Sequence, residues 1–237
     1  MPVEPWSVIA LNLPEHARNA IHTDEGAQAA GFPRALVPGV TTYAYLSHPV
    51  VAAWDLDWLR SGGGEVRFKA PVFAGDTLRC TPRHDGDDVI IDALVDDDRP
   101  RASLSVTCDA GPPPTMRSGE PLPTREIRLE GEWSDEYGSR AGDPLALYSE
   151  LGIVHPAVWP ALANHLVHTE LARGAWVHTR SIIRHHGVGR VGATALVHGV
   201  VVDRFQRSGE RAVLDVTIEI EGEVVATLEH EAIVALS

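Results

Sequence analysis

The fold is best read from residues 36–46, LVPGVTTYAYL, in which a Pro-Gly pair opens a long apolar run. We expect a long helix that begins with this run, at Val40. Strand-like runs follow it at Glu65–Phe73, Thr77–Pro82, Val89–Val95 and Ala102–Cys108. The first half of the chain is therefore predicted to be one helix followed by mostly antiparallel strands.

The second half repeats this order of elements. Val158, Leu162 and Leu166 recur at helical spacing and predict a helix over Val158–Ala172. The strands expected after it are Trp176–Arg184, Ala193–Phe205, Ala212–Glu221 and Val224–Leu236. The shared order indicates an internal duplication. A sheet that covers its apolar face with one helix is an α+β fold, and we expect two such units.

A proline-rich stretch separates the two halves. Residues 109–126, DAGPPPTMRSGEPLPTRE, contain five prolines and two glycines, which leave little room for helix or ladder pairing. We interpret the stretch as a crossing linker. The predicted division is a domain over residues 1–110, a linker over 111–126 and a second domain over 127–237.

Composition excludes several functional classes. The chain has 237 residues and a net charge of −13, which disfavours nucleic acid and anionic membranes as partners. No run of 18 apolar residues and no signal-peptide pattern is present, and two cysteines form no disulfide scaffold, so we expect a cytoplasmic protein. The histidines follow no zinc-ligand pattern, and dinucleotide, P-loop and serine-hydrolase motifs are absent, so neither a metal nor another cofactor is expected.

Residues 19–32, NAIHTDEGAQAAGF, resemble the MaoC-like (R)-specific enoyl-CoA hydratases. That family has an Asp-x-Asn-Pro-hydrophobic-His-x-Asp block followed by Ala and Gly-Phe. Leu36-Val37-Pro38-Gly39 resembles the start of its central helix, and residues 65–76, EVRFKAPVFAGD, resemble one of its strands. The resemblance implies two fused hot-dog domains, each an antiparallel sheet wrapped around a central helix, packed as a pseudo-dimer.

The resemblance also implies roles for individual residues. His22 matches the catalytic histidine, and Asn19 matches the asparagine that helps to arrange the reacting water. Gly39 matches the glycine whose amide can donate to the thioester oxygen. The other substrate-binding residues that we expect from this half are Val40, Tyr43 and Ser47. Ser47 stands at a family serine position, or else marks a bend in the helix before Pro49.

One position departs from the family pattern. The family's catalytic aspartate lies five residues before the histidine, where this chain has Ala17. Glu15 or His16 replaces the aspartate through a shifted backbone, or His22 works alone on a different substrate, or the site binds without turnover. Asp24 is interpreted as the cap of the helical turn that follows it.

Three functions follow from this pattern. The leading one is reversible addition of water to a 2-enoyl group carried on coenzyme A or on a carrier protein. The second is acyl-CoA thioester hydrolysis, with Glu15 or Asp24 as the carboxylate. The third is a non-catalytic module that binds acyl thioesters.

The second half matches the first only in outline. Ile153-Val154-His155-Pro156 corresponds to Leu36–Gly39, but residues 143–146 place alanine where His22 would stand. His155 is a candidate for the wall of a vestigial pocket. The densest basic stretch of the chain comprises Arg180, Arg184, His185, His186 and Arg190. It either binds the phosphates of coenzyme A or of a phosphopantetheine carrier, or is a solvated strand and loop. In the first case we expect Arg184 to be the contact. A homodimer of double hot-dog chains is a further expectation.

Overall fold

A computed structural model describes residues 1–86 and 88–236. Its strands are β1 (Trp6–Ile9), β2 (Gly63–Phe68), β3 (Thr77–Asp85), β4 (Asp88–Leu94), β5 (Ala102–Thr107), β6 (Glu120–Pro121), β7 (Arg125–Arg128), β8 (Val177–His185), β9 (Thr194–Gln206), β10 (Glu210–Ile220) and β11 (Glu223–Ala235). Its α-helices are α1 (Asp24–Ala29), α2 (Gly39–Ser61), α3 (Glu136–Ala141), α4 (Leu147–Leu151) and α5 (Val158–Leu166). Among these described residues, no helix is both long enough and apolar enough to cross a membrane.

The strands form one antiparallel sheet that runs through both halves of the chain. Its order is β1-β3-β4-β5-β2-β8-β11-β10-β9-β6, and β7 also pairs with β9. The halves join where β2 pairs with β8, with Val66 opposite Ser181. Each half contributes a helix that packs on its strands, α2 in the first half and α5 in the second. The predicted α+β arrangement of helix and sheet is confirmed in both halves.

The central helix α2 is buried on all sides through most of its length. Every residue from Val40 to Val51 is buried, which is the pattern of a helix enclosed by other elements. Pro38 precedes the helix and offers no side-chain cap, so the first amides of α2, beginning with Gly39, are not bonded by a cap. The backbone breaks at Asp55, where φ is 53°, and not at Ser47 as the bend interpretation expected.

The second helix is shorter than predicted. α5 ends at Leu166, and a π turn over Val167–Leu171 replaces the last turns that the spacing had indicated. The Thr169 hydroxyl donates to the carbonyl of His165 at 2.9 Å, a bond that commonly bends helices. The apolar spacing persists through this segment, so periodicity alone could not locate the change.

Matching hydrogen bonds in the two halves support the internal duplication. The Val37 amide donates to the Val72 carbonyl at 2.8 Å, and the Val154 amide donates to the Gly189 carbonyl at 2.9 Å. Isolated bridges join Leu36 to Phe73 and Ile153 to Arg190. The alignment of residues 36–39 with residues 153–156 therefore holds in three dimensions.

Two expected boundaries differ. β2 ends at Phe68 and not at Phe73, because the amides of Lys69 and Ala70 both donate to the Arg101 carbonyl and Pro71 has no amide hydrogen. Part of the expected linker joins the sheet: β6 and the first residues of β7 pair with β9. Prolines are tolerated there because these strands lie at the sheet edge. The domain limits at residues 110 and 126 stay a prediction, and Ser237 lies outside the described residues.

Candidate active site

A cavity of ≈ 240 Å³, here called the main cavity, lies between the two halves. The first half contributes His22, Gly39 and Phe68 to its wall, and the second half contributes Asn164 and His178. A smaller cavity of ≈ 50 Å³, here called the small cavity, adjoins it. Four residues line both cavities: Asn19, His22, Asn164 and Trp176.

A backbone carbonyl fixes the tautomer of His22. Nδ1 of His22 lies 2.8 Å from the Leu36 carbonyl oxygen, which can only accept, so Nδ1 carries the proton. The Asn12 amide supports this geometry by donating to the carbonyls of both His22 and Leu36, at 2.9 and 3.2 Å. Burial lowers the pKa of His22 to about 4, although the Leu36 bond opposes that shift. At neutral pH the ring is therefore uncharged, and Nε2 has a free lone pair.

Asn19 connects the His22 turn to the second half. Its Nδ2 donates to the Trp176 carbonyl at 2.9 Å, and its Oδ1 accepts from the Trp176 amide at 3.4 Å. Oδ1 also caps the 3-10 turn Ala20–His22 by accepting from the Ile21 amide. These bonds occupy much of the side chain's hydrogen-bonding capacity, so Asn19 positions His22 and joins the halves.

The substrate-binding candidates on α2 separate into two groups. Gly39 lines the main cavity and Val40 lines the small one. A Cβ at Gly39 would lie 3.1 Å from both Nδ1 of His178 and Cζ of Phe68, so a larger residue there would require these two side chains to shift. Tyr43 is fully buried in the core, and Ser47 donates to the Ala44 carbonyl at 2.9 Å; neither lines the two cavities.

Asn164 of α5 lies on the cavity wall, where the motif had predicted Ser47. It stands eight residues after Pro156, as Ser47 stands eight residues after Gly39. Its Oδ1 is buried without a hydrogen-bond partner among the described residues. α5 belongs to the second half, but its Asn164 lies at the site formed by the His22 motif of the first half. Alignment of the two repeats places Asn164 opposite Ser47, so the sequence could have indicated Asn164 if the helix of each half had been assigned to the motif of the other half.

The acidic candidates are engaged elsewhere. Ala17, at the aspartate position, is exposed and lines neither cavity. Glu15 accepts from Arg140 Nη2 at 2.5 Å, and Asp24 accepts from the Ala35 amide at 2.8 Å. The cap of α1 is Thr23 and not Asp24, because the Thr23 hydroxyl accepts from the Gly26 amide. No Asp or Glu is among the described residues that line the main cavity.

His16 lies beside His22 in the small cavity. The two ring centroids are 6.1 Å apart, and His16 Nε2 is 3.4 Å from both the Thr41 and Tyr137 hydroxyls. Burial, together with the nearby His22 and Arg18, lowers the pKa of His16 to about 3. Of the two residues expected to replace the aspartate, His16 is the one near His22, but it is a neutral imidazole and not a carboxylate.

Arg184 is remote from the main cavity. It lines a separate cavity with linker residues Pro114 and Arg117. Its basic neighbours are largely occupied: Arg180 pairs with Glu65 and Glu229, and His185 is buried against Trp58.

Lys69 is the one Lys, Arg, Asp or Glu among the described residues that line the main cavity, and its Nζ donates to the Ser103 hydroxyl at 2.6 Å.

The corresponding region of the second half is closed core. Asp143 accepts from Nδ1 of His48 at 2.7 Å, and its other oxygen lies 3.4 Å from Nε2 of His155. Burial alone would raise the pKa of Asp143, but these two bonds hold it well below its ordinary value. His155 is fully buried, so it does not form the open vestigial pocket that was expected.

Residues 14–96 match the family model described as the MaoC-like domain. That part of the chain is similar to a MaoC-like domain. An 88-residue segment is 35% identical to enoyl-CoA hydratase ChsH3 of Mycobacterium tuberculosis (strain ATCC 25618 / H37Rv), covering 36% of this chain and 30% of that protein. This chain therefore matches less than a third of the length of that relative.

Solved structures support the double hot-dog fold over the whole chain. A conserved M. tuberculosis protein described as a double hot-dog is 13% identical, with a TM-score of 0.66 over 97% of this chain and 96% of that one. The dehydratase domain of PpsC from M. tuberculosis, solved with C12:1-CoA, is 11% identical, with a TM-score of 0.58 over 98% and 93%. Proteins described as thioesterases are also neighbours, so the fold alone does not distinguish hydration from hydrolysis.

Proposed function

We propose that this MaoC-like protein is an acyl-thioester hydratase or dehydratase that adds water reversibly to a 2-enoyl thioester. The observation that carries the proposal is the neutral His22 ring, held by the Leu36 carbonyl through Nδ1, on the wall of a cavity between the halves. A free imidazole Nε2 beside a water and a conjugated thioester is suited to proton transfer. The relative ChsH3 is named as an enoyl-CoA hydratase, which supports the same chemistry.

One imidazole is sufficient for both proton transfers. Nε2 of His22 takes a proton from water as the water oxygen attacks C3 of the enoyl group, and the C2=C3 electrons move toward the thioester oxygen. The imidazolium then delivers that proton to C2, which restores neutral His22 and completes the addition of H and OH. One of the three accounts of Ala17 had His22 working alone on a different substrate. We extend it to the enoyl thioester, because no Asp or Glu is among the described residues that line the main cavity.

The start of α2 supplies the stabilisation that the enolate oxygen needs. The amides that begin α2 at Gly39 form the positive end of that helix, whose backbone is helical up to the break at Asp55. An amide donor aimed at a developing oxyanion contributes on the order of 10²–10³ in rate. Gly39 lines the main cavity, so a thioester carbonyl there comes within reach of its amide.

The alternative functions have less support. A hydrolase of the kind considered needs a carboxylate near the thioester carbonyl, and Glu15 and Asp24 bind Arg140 and the Ala35 amide instead. The argument for a purely binding role was that Ala17 replaces the catalytic aspartate. Because the Ala17 side chain is exposed, the residue at this position is weak evidence about activity. We retain coenzyme A or a carrier protein as the thioester carrier, with Lys69 in place of Arg184 as the proposed contact for its phosphate.

The test is hydration of a 2-enoyl-CoA series by the His22→Gln variant, followed through loss of the conjugated thioester absorbance. We expect kcat to fall by about 10²–10⁴-fold, because the proposed proton-transfer group is removed. His84→Gln is the matched control, because His84 is exposed on β3, far from the cavity wall. Hydration by His22→Gln at the wild-type rate would exclude this site, and release of free thiol by the wild type would favour the thioesterase.

A further inference from the structure

Lys69 is the single lysine of the chain, which has arginine at its other 19 basic positions. It lies on the wall of the main cavity and is exposed to solvent. A lysine ammonium group is a compact charge with three rotatable donors, and lysines of this kind bind phosphate. The chain therefore places its one ammonium group beside the proposed thioester site, at a point that solvent reaches.

The side chains of Phe68 and Lys69 leave the end of β2 in opposite directions. The Phe68 ring packs toward Gly39, since its Cζ would lie 3.1 Å from a Cβ there. Lys69 Nζ bonds to Ser103, which pairs with the exposed Arg67 across β2 and β5 and therefore shares its outer face of the sheet. A thioester at Gly39 and an anion at Lys69 would thus lie on the two sides of this strand end, like the two ends of a long carrier arm.

Two buried side chains hold the ammonium group of Lys69. Its Nζ donates to the Ser103 hydroxyl at 2.6 Å, and that hydroxyl donates its single hydrogen to Asp92 Oδ1 at 2.5 Å. Ser103 and Asp92 are each 7% exposed, so packing fixes both of them. Because Ser103 uses one of the three ammonium hydrogens, the others remain for a ligand.

Arg83 brings a second cation to the same carboxylate. Its Nε donates to Asp92 Oδ2 at 2.6 Å, and its side chain is 49% exposed. The guanidinium group has five N–H donors, and this bond uses one of them. Two cations thus share one carboxylate, which leaves an excess of positive charge at this point of a chain whose net charge is −13.

We propose that Lys69 and Arg83 form a phosphate-binding site beside the main cavity, with Ser103 and Asp92 as positioning residues. The ligand is the phosphate of the thioester carrier, so this inference rests on the proposed function. Charge-assisted hydrogen bonds to phosphate are among the strongest that proteins form. Coenzyme A and the phosphopantetheine arm of a carrier protein both have a phosphate at the end of the arm, so the same site serves either carrier.

The test compares three saturated thioesters, which bind without being hydrated: butyryl-CoA, butyryl-4′-phosphopantetheine and butyryl-pantetheine, which has no phosphate. Calorimetry measures the Kd of each. We expect Lys69→Gln to raise the Kd of butyryl-CoA about tenfold or more, as for loss of a charge-assisted hydrogen bond. The Kd of butyryl-pantetheine should stay within about twofold, as for a substitution away from the contacts of the ligand.

Ser103→Ala tests the positioning role, because it keeps the ammonium group and removes the hydroxyl that holds it. We expect the Kd of butyryl-CoA to rise about threefold and that of butyryl-pantetheine to stay unchanged, with thermal unfolding to establish that the variant is folded. Arg79→Gln is the matched control, because Arg79 is exposed on β3, the strand of Arg83, and does not line the main cavity. It should change the Kd of butyryl-CoA by less than about twofold, since salt screens distant surface charges.

Three results would overturn the proposal: no loss of butyryl-CoA binding in Lys69→Gln, an equal loss for butyryl-pantetheine, or an equal loss in Arg79→Gln. The phosphopantetheine thioester identifies the phosphate. A loss as large as that of butyryl-CoA assigns the site to the phosphate that both carriers share, and a loss with butyryl-CoA alone assigns it to the nucleotide part of coenzyme A. If Lys69→Gln weakens butyryl-CoA binding but the wild type hydrates no 2-enoyl-CoA, the proposed function fails and the phosphate site stands.

Discussion

At the scale of single residues, the main-chain carbonyl of Leu36 determines which nitrogen of His22 is free. Because Nδ1 donates to that carbonyl, Nε2 is the nitrogen that can take a proton. The sequence indicated His22 through the spacing of its motif, yet it also suggested that Ala17 had replaced a working partner. In the structure the Ala17 side chain is exposed on a 3-10 turn over Pro14–Arg18. Residue 17 therefore stands at the aspartate position of the motif, but its side chain lies outside both cavities.

This disagreement predicts the outcome of restoring the family residue. We expect Ala17→Asp to change kcat/KM by no more than about twofold, because exposed substitutions rarely alter energies by more than about 0.5 kcal/mol. The measurement is steady-state enoyl-CoA hydration by wild type and variant, with thermal unfolding to establish that both are folded. A tenfold gain would mean that the turn brings residue 17 onto His22 during the reaction.

At the scale of elements, the site depends on where the helix of one half meets the turn of the other. The turn Ala20–His22 is bonded through Asn19 to Trp176, just before β8. α5 brings Asn164 to the same place. Asn19 and Asn164 are chemically identical side chains on the same cavity wall. Asn19 has hydrogen-bond partners, whereas Oδ1 of Asn164 has none among the described residues.

The two asparagines should therefore respond differently to truncation. Asn19→Ala is expected to lower the free energy of unfolding by about 1–3 kcal/mol, since it leaves the buried Trp176 backbone groups unpaired. Asn164→Ala should change that free energy by less than about 1 kcal/mol, as expected for a group without a protein partner, while lowering kcat for hydration. Urea unfolding and steady-state kinetics on both variants separate these effects, and equal stability losses would contradict the assignment.

At the scale of the whole molecule, several histidines are buried in uncharged form. Burial lowers the pKa values of His185 and His230 to about 3, beside those of His16 near 3 and His22 near 4. Below pH 6.5 the unfolded chain binds protons on these rings that the folded chain does not bind. Their contribution to stability is therefore complete above pH 6.5 and is lost as the pH falls toward 3–4.

We accordingly expect the free energy of unfolding to fall between pH 6.5 and pH 5.5, by up to about 1 kcal/mol per pH unit for each such histidine. Urea unfolding at closely spaced pH values measures this slope, in a range where most carboxylates do not yet titrate. His185→Gln removes one buried titrating ring outside both cavities and should reduce the slope by one group's share. A flat profile in the wild type would contradict the neutral burial of these rings.

Homodimer formation and a cytoplasmic location remain predictions at this scale. Sedimentation of the purified chain tests the first, and fractionation of cells tests the second. Neither bears on the position of His22, because both walls of the main cavity come from one chain.

The sequence by itself determined the two repeated halves, their order of helix and strands, and the motif around His22. These features are local: they depend on side-chain periodicity, on turn-forming residues and on spacing within some twenty positions. The tertiary structure alone decided that Asn164 faces the site in place of Ser47, that Ala17 faces solvent, and that Arg184 lies far away. Those outcomes depend on how the two halves pack where β2 pairs with β8. The residues paired there are more than a hundred positions apart in the chain. Contacts of that range are set by the fit of one apolar face against another, which no spacing within either half encodes.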